Sequence, residues 1–196
     1  MTIWGQPFSL ITHGCEISCF IDFGGPVSLV APRTRNRPRC DTLICMRVTL
    51  VQIGALGSSA EVCEGLVQDY LRRCRGVLRC ETQAFRNEGA FLDWLAKLKG
   101  RTEAQLLLLD GRGKQMSSEE LAAWLGKRRD DGTQHAVFAV GPADGWSEEA
   151  RTEGKRRGGL LSLGPMTLAH SLARLVMAEQ IYRACTILTG HPYHRG

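Results

Sequence analysis

Four consecutive leucines, Leu106 to Leu109, stand between Gln105 and Asp110. A run so short and so solidly apolar reads as a strand covered on both faces. His135 to Val140 has the same character. These runs recur within a regular alternation. Met46 to Gly54 alternates like a strand and ends on glycine. Glu61 to Arg75 has helical spacing, with Val62, Leu66, Val67, Tyr70 and Leu71 on one side. Val77 to Phe85 is a strand, and Glu88 to Lys99 a helix with Phe91, Leu92, Leu95 and Leu98 inward. Ser117 and Glu120 form a capping-box start for a helix through Arg129. Ser147-Glu148-Glu149 caps a short helix, Gly159 to Leu163 is the last strand, and Leu168 to Leu188 the last helix. Strand then helix, five times, predicts an α/β domain with a mostly parallel sheet.

Residues 1–45 do not share this pattern. They hold Gly24-Gly25-Pro26 and an Arg-Pro-rich run from Pro32 to Arg39. The expected division is an N-terminal extension over 1–45, either upstream of the true start or a disordered arm, and a folded domain over 46–196. The arginine run could bind nucleic acid; an extension without function is the simpler reading.

A hydrophobic content of 43% with 23% charged residues is that of an ordinary globular chain. No apolar run approaches the ~20 residues a membrane-spanning helix needs, and no basic stretch precedes a short apolar one as in a secretory signal. A cytoplasmic protein without a membrane partner is expected. The net charge of +5 is compatible with a polyanionic partner. Of eight cysteines, Cys15 and Cys19 are separated by three residues and Cys40 and Cys45 by four. Neither is a Cys-x-x-Cys pair, and no matching histidine pair follows, so free thiols and no metal are expected.

Ligands in open α/β sheets bind beyond the carboxyl ends of the strands. Three strand ends carry glycine-bearing loops: Leu109 to Lys114, Val140 to Gly145 and Leu163 to Leu168. None has a dinucleotide or Walker fingerprint. The third offers mainly backbone amides and carbonyls, which suits an adenine or neutral ring better than a triphosphate.

From Met46 onward the chain resembles the ribosomal RNA large subunit methyltransferase H family, within the SPOUT superfamily of knotted methyltransferases. The resemblance rests on the opening strand ending in Gly54, the Leu-Asp-Gly-x-Gly-Lys loop at Leu109 to Lys114, and the C-terminus. There Leu163 to His170, Arg174, Glu179, Gln180, Tyr182-Arg183-Ala184 and His191-Pro192-Tyr193-His194-Arg195 follow the family's ending. It implies a deep trefoil knot made by the C-terminal strand, loop and helix, an exception to the rule against threaded chains. It implies S-adenosyl-L-methionine as cofactor, a homodimer, and methylation of N3 of a pseudouridine in the helix 69 loop of 23S rRNA on the assembled ribosome. The implied cofactor residues are Leu109, Gly141, Gly164, Pro165, Met166, Thr167, Leu168 and Ala169. The catalytic candidates are His170, Arg183, Tyr193, His194 and Arg195. Two departures stand out: Val140-Gly141-Pro142-Ala143-Asp144-Gly145 lacks the family's first glycine and has an extra residue, and Leu168-Ala169-His170 replaces Leu-Pro-His.

The residues carry simpler readings too. Leu172, Leu175, Val176 and Ile181 read as a buried helix face and dimer seam. Glu179 reads as the i,i+4 partner of Arg183. Arg174 is a candidate contact to rRNA phosphate or to the second subunit. Lys127-Arg128-Arg129 and Lys155-Arg156-Arg157 read as solvated helix ends or, on a ribosome-binding enzyme, as phosphate contacts. Two functions of other kinds compete: a non-enzymatic RNA-binding α/β module on the ribosome, and a nucleotide- or flavin-binding doubly wound domain.

Overall fold

The computed structural model describes residues 46–54, 60–98 and 100–194. The N-terminal extension, with its arginine run and Cys15, Cys19, Cys40 and Cys45, lies outside the described residues, as does Arg195.

The expected alternation is present. In chain order the elements are β1 (Arg47–Ile53), α1 (Ala60–Arg73), β2 (Arg79–Phe85), α2 (Glu88–Lys97), β3 (Gln105–Gln115), α3 (Ser118–Asp130), β4 (His135–Val140), α4 (Glu148–Arg157), β5 (Gly159–Ser162) and α5 (His170–Thr189). The strands form one sheet in the order β2-β1-β4-β3-β5, and every pairing is parallel. Ser117 makes both halves of the capping box at α3. Asn87 and Ser147 cap α2 and α4 by accepting from Ala90 and Ala150 backbone amides.

Alternation along the strands sorts the core into two layers. Val48, Leu50, Leu107, Phe138 and Val140 face α1, α3 and α5, where Val67, Leu71, Leu125, Met177 and Ile181 pack. Val51, Ile53, Leu106, Leu108 and Val137 face the other side, against Phe91 and Leu95 of α2 and Ala150 of α4. The four leucines therefore bury both faces of β3, as their apolar run predicts.

One boundary differs from expectation by more than two residues. β3 does not end at Asp110 but continues to Gln115. Leu161 of β5 pairs first with Leu109 and again with Lys114, so Asp110 to Gly113 bulge out between two paired stretches. The Leu-Asp-Gly-Arg-Gly-Lys loop is thus an excursion within a strand. Asp110 shapes it by accepting the Arg112 backbone N–H at 2.8 Å. At Gly113 an added Cβ would lie 2.5 Å from the Leu160 carbonyl carbon, which is why a glycine stands there.

α5 lies between α1 and α3, and its partly buried polar residues bind both. Arg174, 5% exposed, forms a two-pronged ion pair with Glu64 of α1. This corrects the reading of Arg174 as an rRNA or subunit contact: its guanidinium is occupied within the fold. Leaving it buried without Glu64 would cost about 3 kcal/mol. The apolar stripe of α5 is only partly the buried face expected, with Leu175 half-buried. Ile181 is buried, but Leu172 is 47% and Val176 38% exposed. With Leu66 of α1, 50% exposed, they leave an apolar surface on the α1–α5 side. Cys63, Cys74, Cys80 and Cys185 are free. No helix among the described residues is long and apolar enough to cross a membrane.

Two histidines set a pH dependence. His135 sits at the start of β4, its Nε2 2.8 Å from the Thr49 hydroxyl, which donates to Glu81. Burial, aided by Arg47, holds its pKa below the ordinary value. Burial does the same for His170, again with help from a nearby arginine, Arg174. The unfolded chain therefore takes up these protons first. Stability is full above about pH 6.5 and is lost as pH falls below that through the lower folded values. Calorimetric melting should show a falling Tm between pH 7.5 and 5.5, less steep in His135→Asn.

Candidate functional site

The chain leaves β1 and β3 toward the face of α1 and α3, but leaves β4 toward the face of α4. Such a reversal opens a crevice at the carboxyl end of the strand where it occurs. Gly141 stands there. Trp146, 4% exposed, packs its indole over Gly141, where a Cβ would come within 2.8 Å of the ring, and donates Nε1–H to the Leu109 carbonyl at 2.9 Å. Leu109 and Gly141 are thus brought together through one side chain. Asp110 and Arg151, both nearly buried, join β3 to α4 at 2.8 Å beside them. Burial tends to raise the Asp110 pKa, but the hydrogen bond from Arg151, with that from the Arg112 backbone, holds it below the usual range.

The third loop leaves β5 through Ser162. Its hydroxyl donates to the Gly164 carbonyl at 3.1 Å and accepts the Gly164 amide at 3.3 Å. Gly164 has φ of 132°, a conformation that favours glycine. Pro165, Met166 and Thr167 are exposed, Met166 by 79%, while Leu168 is half-buried and Ala169 exposed. No side chain caps α5, which begins at His170. The ring of His170 lies beside the Val140 and Gly141 carbonyls, which draw its pKa upward against the larger effect of burial. Its Nε2 has no hydrogen-bond partner. His170 therefore belongs with Leu109 and Gly141.

Arg183, Tyr193 and His194 form a different group, farther along α5. The chain turns after Gly190, at φ of 65°, and folds back over the helix. Tyr193 packs on Tyr182 with ring centroids 4.8 Å apart and donates its hydroxyl to Glu179 at 3.1 Å. Arg183 donates to the same carboxylate at 2.7 and 3.0 Å and lies 5.0 Å over the Tyr193 ring. The i,i+4 pairing of Glu179 with Arg183 is as expected. Burial, reinforced by the Glu179 charge, pushes the Tyr193 phenol up to about 12, so it acts as a proton donor in hydrogen bonds and not as a base. His194 Nε2 lies 2.9 Å from Glu119 of α3, and its Nδ1 has no partner.

A cleft of about 320 Å³ lies between the two groups. Leu163 and Gly164 line one wall, Ser117 and Ser118 the connection into α3, and Met177 and Gln180 the α5 wall. Gln180 accepts from the Ser118 hydroxyl at 2.7 Å and donates to Glu179 at 2.7 Å, so the tail network reaches the rim of the cleft. Of the sequence-derived cofactor residues, only Gly164 lines it. Trp146, Arg151 and Ser162 were not singled out from sequence. Among the described residues no group of three or more His, Cys, Asp or Glu side chains is arranged to hold a metal ion.

The family described as "Predicted SPOUT methyltransferase" matches residues 46–194. The chain belongs to this family. Among SPOUT relatives, a protein of Koribacter versatilis named ribosomal RNA large subunit methyltransferase H is 46% identical over 77% of this chain and 99% of its own length. One of Pelobacter propionicus, with the same name, is 41% identical over 76% of this chain and 99% of its own. A solved structure, ribosomal RNA small subunit methyltransferase E from Neisseria gonorrhoeae bound to S-adenosyl methionine, aligns at 17% identity with a TM-score of 0.42. The alignment covers 73% of this chain and 66% of that one, a likeness too slight to place a ligand.

Proposed function

We propose that this SPOUT protein is an S-adenosyl-L-methionine-dependent methyltransferase of large-subunit rRNA, acting through residues 46–196 on N3 of a pseudouridine in the helix 69 loop of 23S rRNA. The full-length match to relatives of that name supports the activity. The geometric observation that carries the reading is the cleft bordered by Gly164 on one side and the Tyr193–Glu179–Gln180–Ser118 network on the other.

The cleft suits the cofactor. Its volume is at the lower end of the ~300–1,000 Å³ usual for small-molecule sites. Leu121, Leu161 and Met177 offer an apolar bed for an adenine, while Ser117, Ser118, Gln180 and the Gly164 backbone offer hydrogen bonds. It lacks the basic cluster a polyphosphate would need. Gly164 would hold the cofactor from the loop side, and Pro165 to Ala169, Leu109 and Gly141, which do not line the cleft, would reach it only if the loop closes over the ligand. When bound, S-adenosylmethionine supplies an activated methyl group, so the protein's share of the chemistry is alignment and charge. Arg183, fixed by Glu179, would stabilise negative charge on the uracil carbonyls as the N3 proton passes to the unpartnered Nδ1 of His194. Tyr193 stacks on or hydrogen-bonds the base. His194 and Arg195 engage the base or its phosphates, and His170 organises the loop.

The same reading includes a trefoil knot and a homodimer. The knot is supported by the route of the chain, which passes from edge strand β5 by the connection into α3 to reach α5 between α1 and α3. The dimer is supported by the exposed Leu66 and Leu172, whereas Val176 lines the cleft. Titration calorimetry with S-adenosylmethionine, followed by mass mapping of helix 69 after incubation with 70S ribosomes lacking the modification, tests the function. Micromolar binding and a single added methyl on the pseudouridine are expected. Absence of cofactor binding would refute it.

A further inference from the structure

All strands are parallel, so their amino ends, together with the carboxyl ends of α1 to α4, form the edge opposite the cofactor loop. Among the described residues many basic side chains gather there, alongside the fewer acids Glu81, Glu103, Asp130 and Asp131. Arg75, Arg79, Arg101, Lys127 and Lys155 are exposed, and none has a carboxylate partner among the described residues. Complementing helix dipoles accounts for Lys127 and Lys155, which stand in the last turns of α3 and α4. It does not account for Arg79, the first residue of β2, or for Arg101, in the loop before β3. Arg79 is also the direct register partner of Arg47 on β1. Like charges side by side on adjacent strands are unfavourable. Glu81 relieves Arg47 only at 3.8 Å, and Arg79 has no such partner among the described residues.

We propose that this amino-terminal edge binds RNA phosphates at a distance from the nucleotide being methylated. The inference rests on the RNA-methyltransferase reading for its partner. A seven-residue strand spans about 23 Å, so one phosphate cannot touch both edges. The cofactor edge is less favourable, since Glu88, Asp110, Glu119, Glu120, Glu148 and Glu149 stand there against Arg86, Arg112 and Lys114. This edge anchors the enzyme through sequence-independent charge and adjoins the tail group on the α1 side, where Arg73 lies 5.9 Å from the Tyr182 ring. An acidic membrane would also attract this charge, but membrane-surface binding needs apolar side chains beside it. The large exposed ones, Leu66, Met166, Leu172, Val176 and Tyr193, lie elsewhere.

The full chain and its Arg79→Gln, Arg101→Gln, Lys127→Gln triple variant should be compared for binding to bacterial 70S ribosomes between 50 and 200 mM KCl, on the order of the range where such contacts are screened. The variant should bind at least about tenfold more weakly, with the slope of log affinity against log salt reduced by about 2 to 3. S-adenosylmethionine affinity should stay the same in both, which shows that the variant is folded. Equal ribosome affinity and slope in variant and parent would overturn the proposal while leaving the methyltransferase reading intact. So would a loss confined to vesicles of anionic phospholipid. A parent protein that binds no ribosomes would overturn both.

Discussion

A chain ending at Gly190 should bind S-adenosylmethionine within about threefold of the full protein, yet transfer its methyl group at least ~10³-fold more slowly. The split follows from where the removed residues sit. Tyr193 and His194 touch Tyr182, Arg183, Glu179 and Glu119, and none of them lines the cleft near Gly164. Their loss takes the stacking surface and the charge that align the base, and leaves the loop that grips the cofactor. The fold should survive, since Tyr193 is 36% exposed and its aromatic contact contributes about 1 kcal/mol. Single-turnover rates with 70S ribosomes, beside calorimetric cofactor binding, would check this. Undiminished methyl transfer by the shortened chain would remove the tail from the mechanism. Tyr193→Phe, which loses only the hydroxyl bond to Glu179, should cost far less.

Gly113→Ala should be among the most damaging small substitutions in the domain. The new methyl would meet Leu160 and Leu161 backbone atoms at 2.5 to 2.7 Å, and backbone cannot turn aside as a side chain can. Either the bulge of β3 or strand β5 must move. Overpacking costs about 1–3 kcal/mol, and the rigid partner here places the expected loss near about 3 kcal/mol. For a chain of this size that lowers Tm by about 6–12 °C. Cofactor affinity should fall with it, because β5 carries Ser162, whose hydroxyl holds Gly164 in place. Gly111→Ala, two residues away with open space around its Cβ position, is the control and should change little. Equal melting of the two variants would show that the bulge is not pinned against β5.

Much of this arrangement is legible in the chain itself, for specific reasons. The leucine run of β3 and the sequence of β4 announce strands buried on both faces, because only a strand between two helical layers can hide so many apolar residues in so few positions. Ser117 and Glu120 announce the start of α3, because the capping box is a local hydrogen-bond pattern. The length of β3 was not legible. A strand that bulges for four residues and resumes reads as strand followed by loop, since Asp-Gly-Arg-Gly has turn composition wherever it occurs. Arg174 was misread because a charged residue on an apolar helix looks like a contact to something outside. Its partner Glu64 is 110 residues earlier, and no local pattern joins them. Trp146 was passed over because its role depends on two strand ends that meet only in the folded sheet.

The sequence by itself determined the layering, the parallel sheet and the family, since periodicity, caps and a matching ending are written in short stretches of neighbouring residues. Tertiary structure decided the rest. It separated His170 from Tyr193 and His194 along α5, and set the cleft between them. It also gathered cations from five separate segments on the far edge of the sheet. Each depends on which strands lie side by side, and that order is fixed by long-range packing of both sheet faces, not by any local preference.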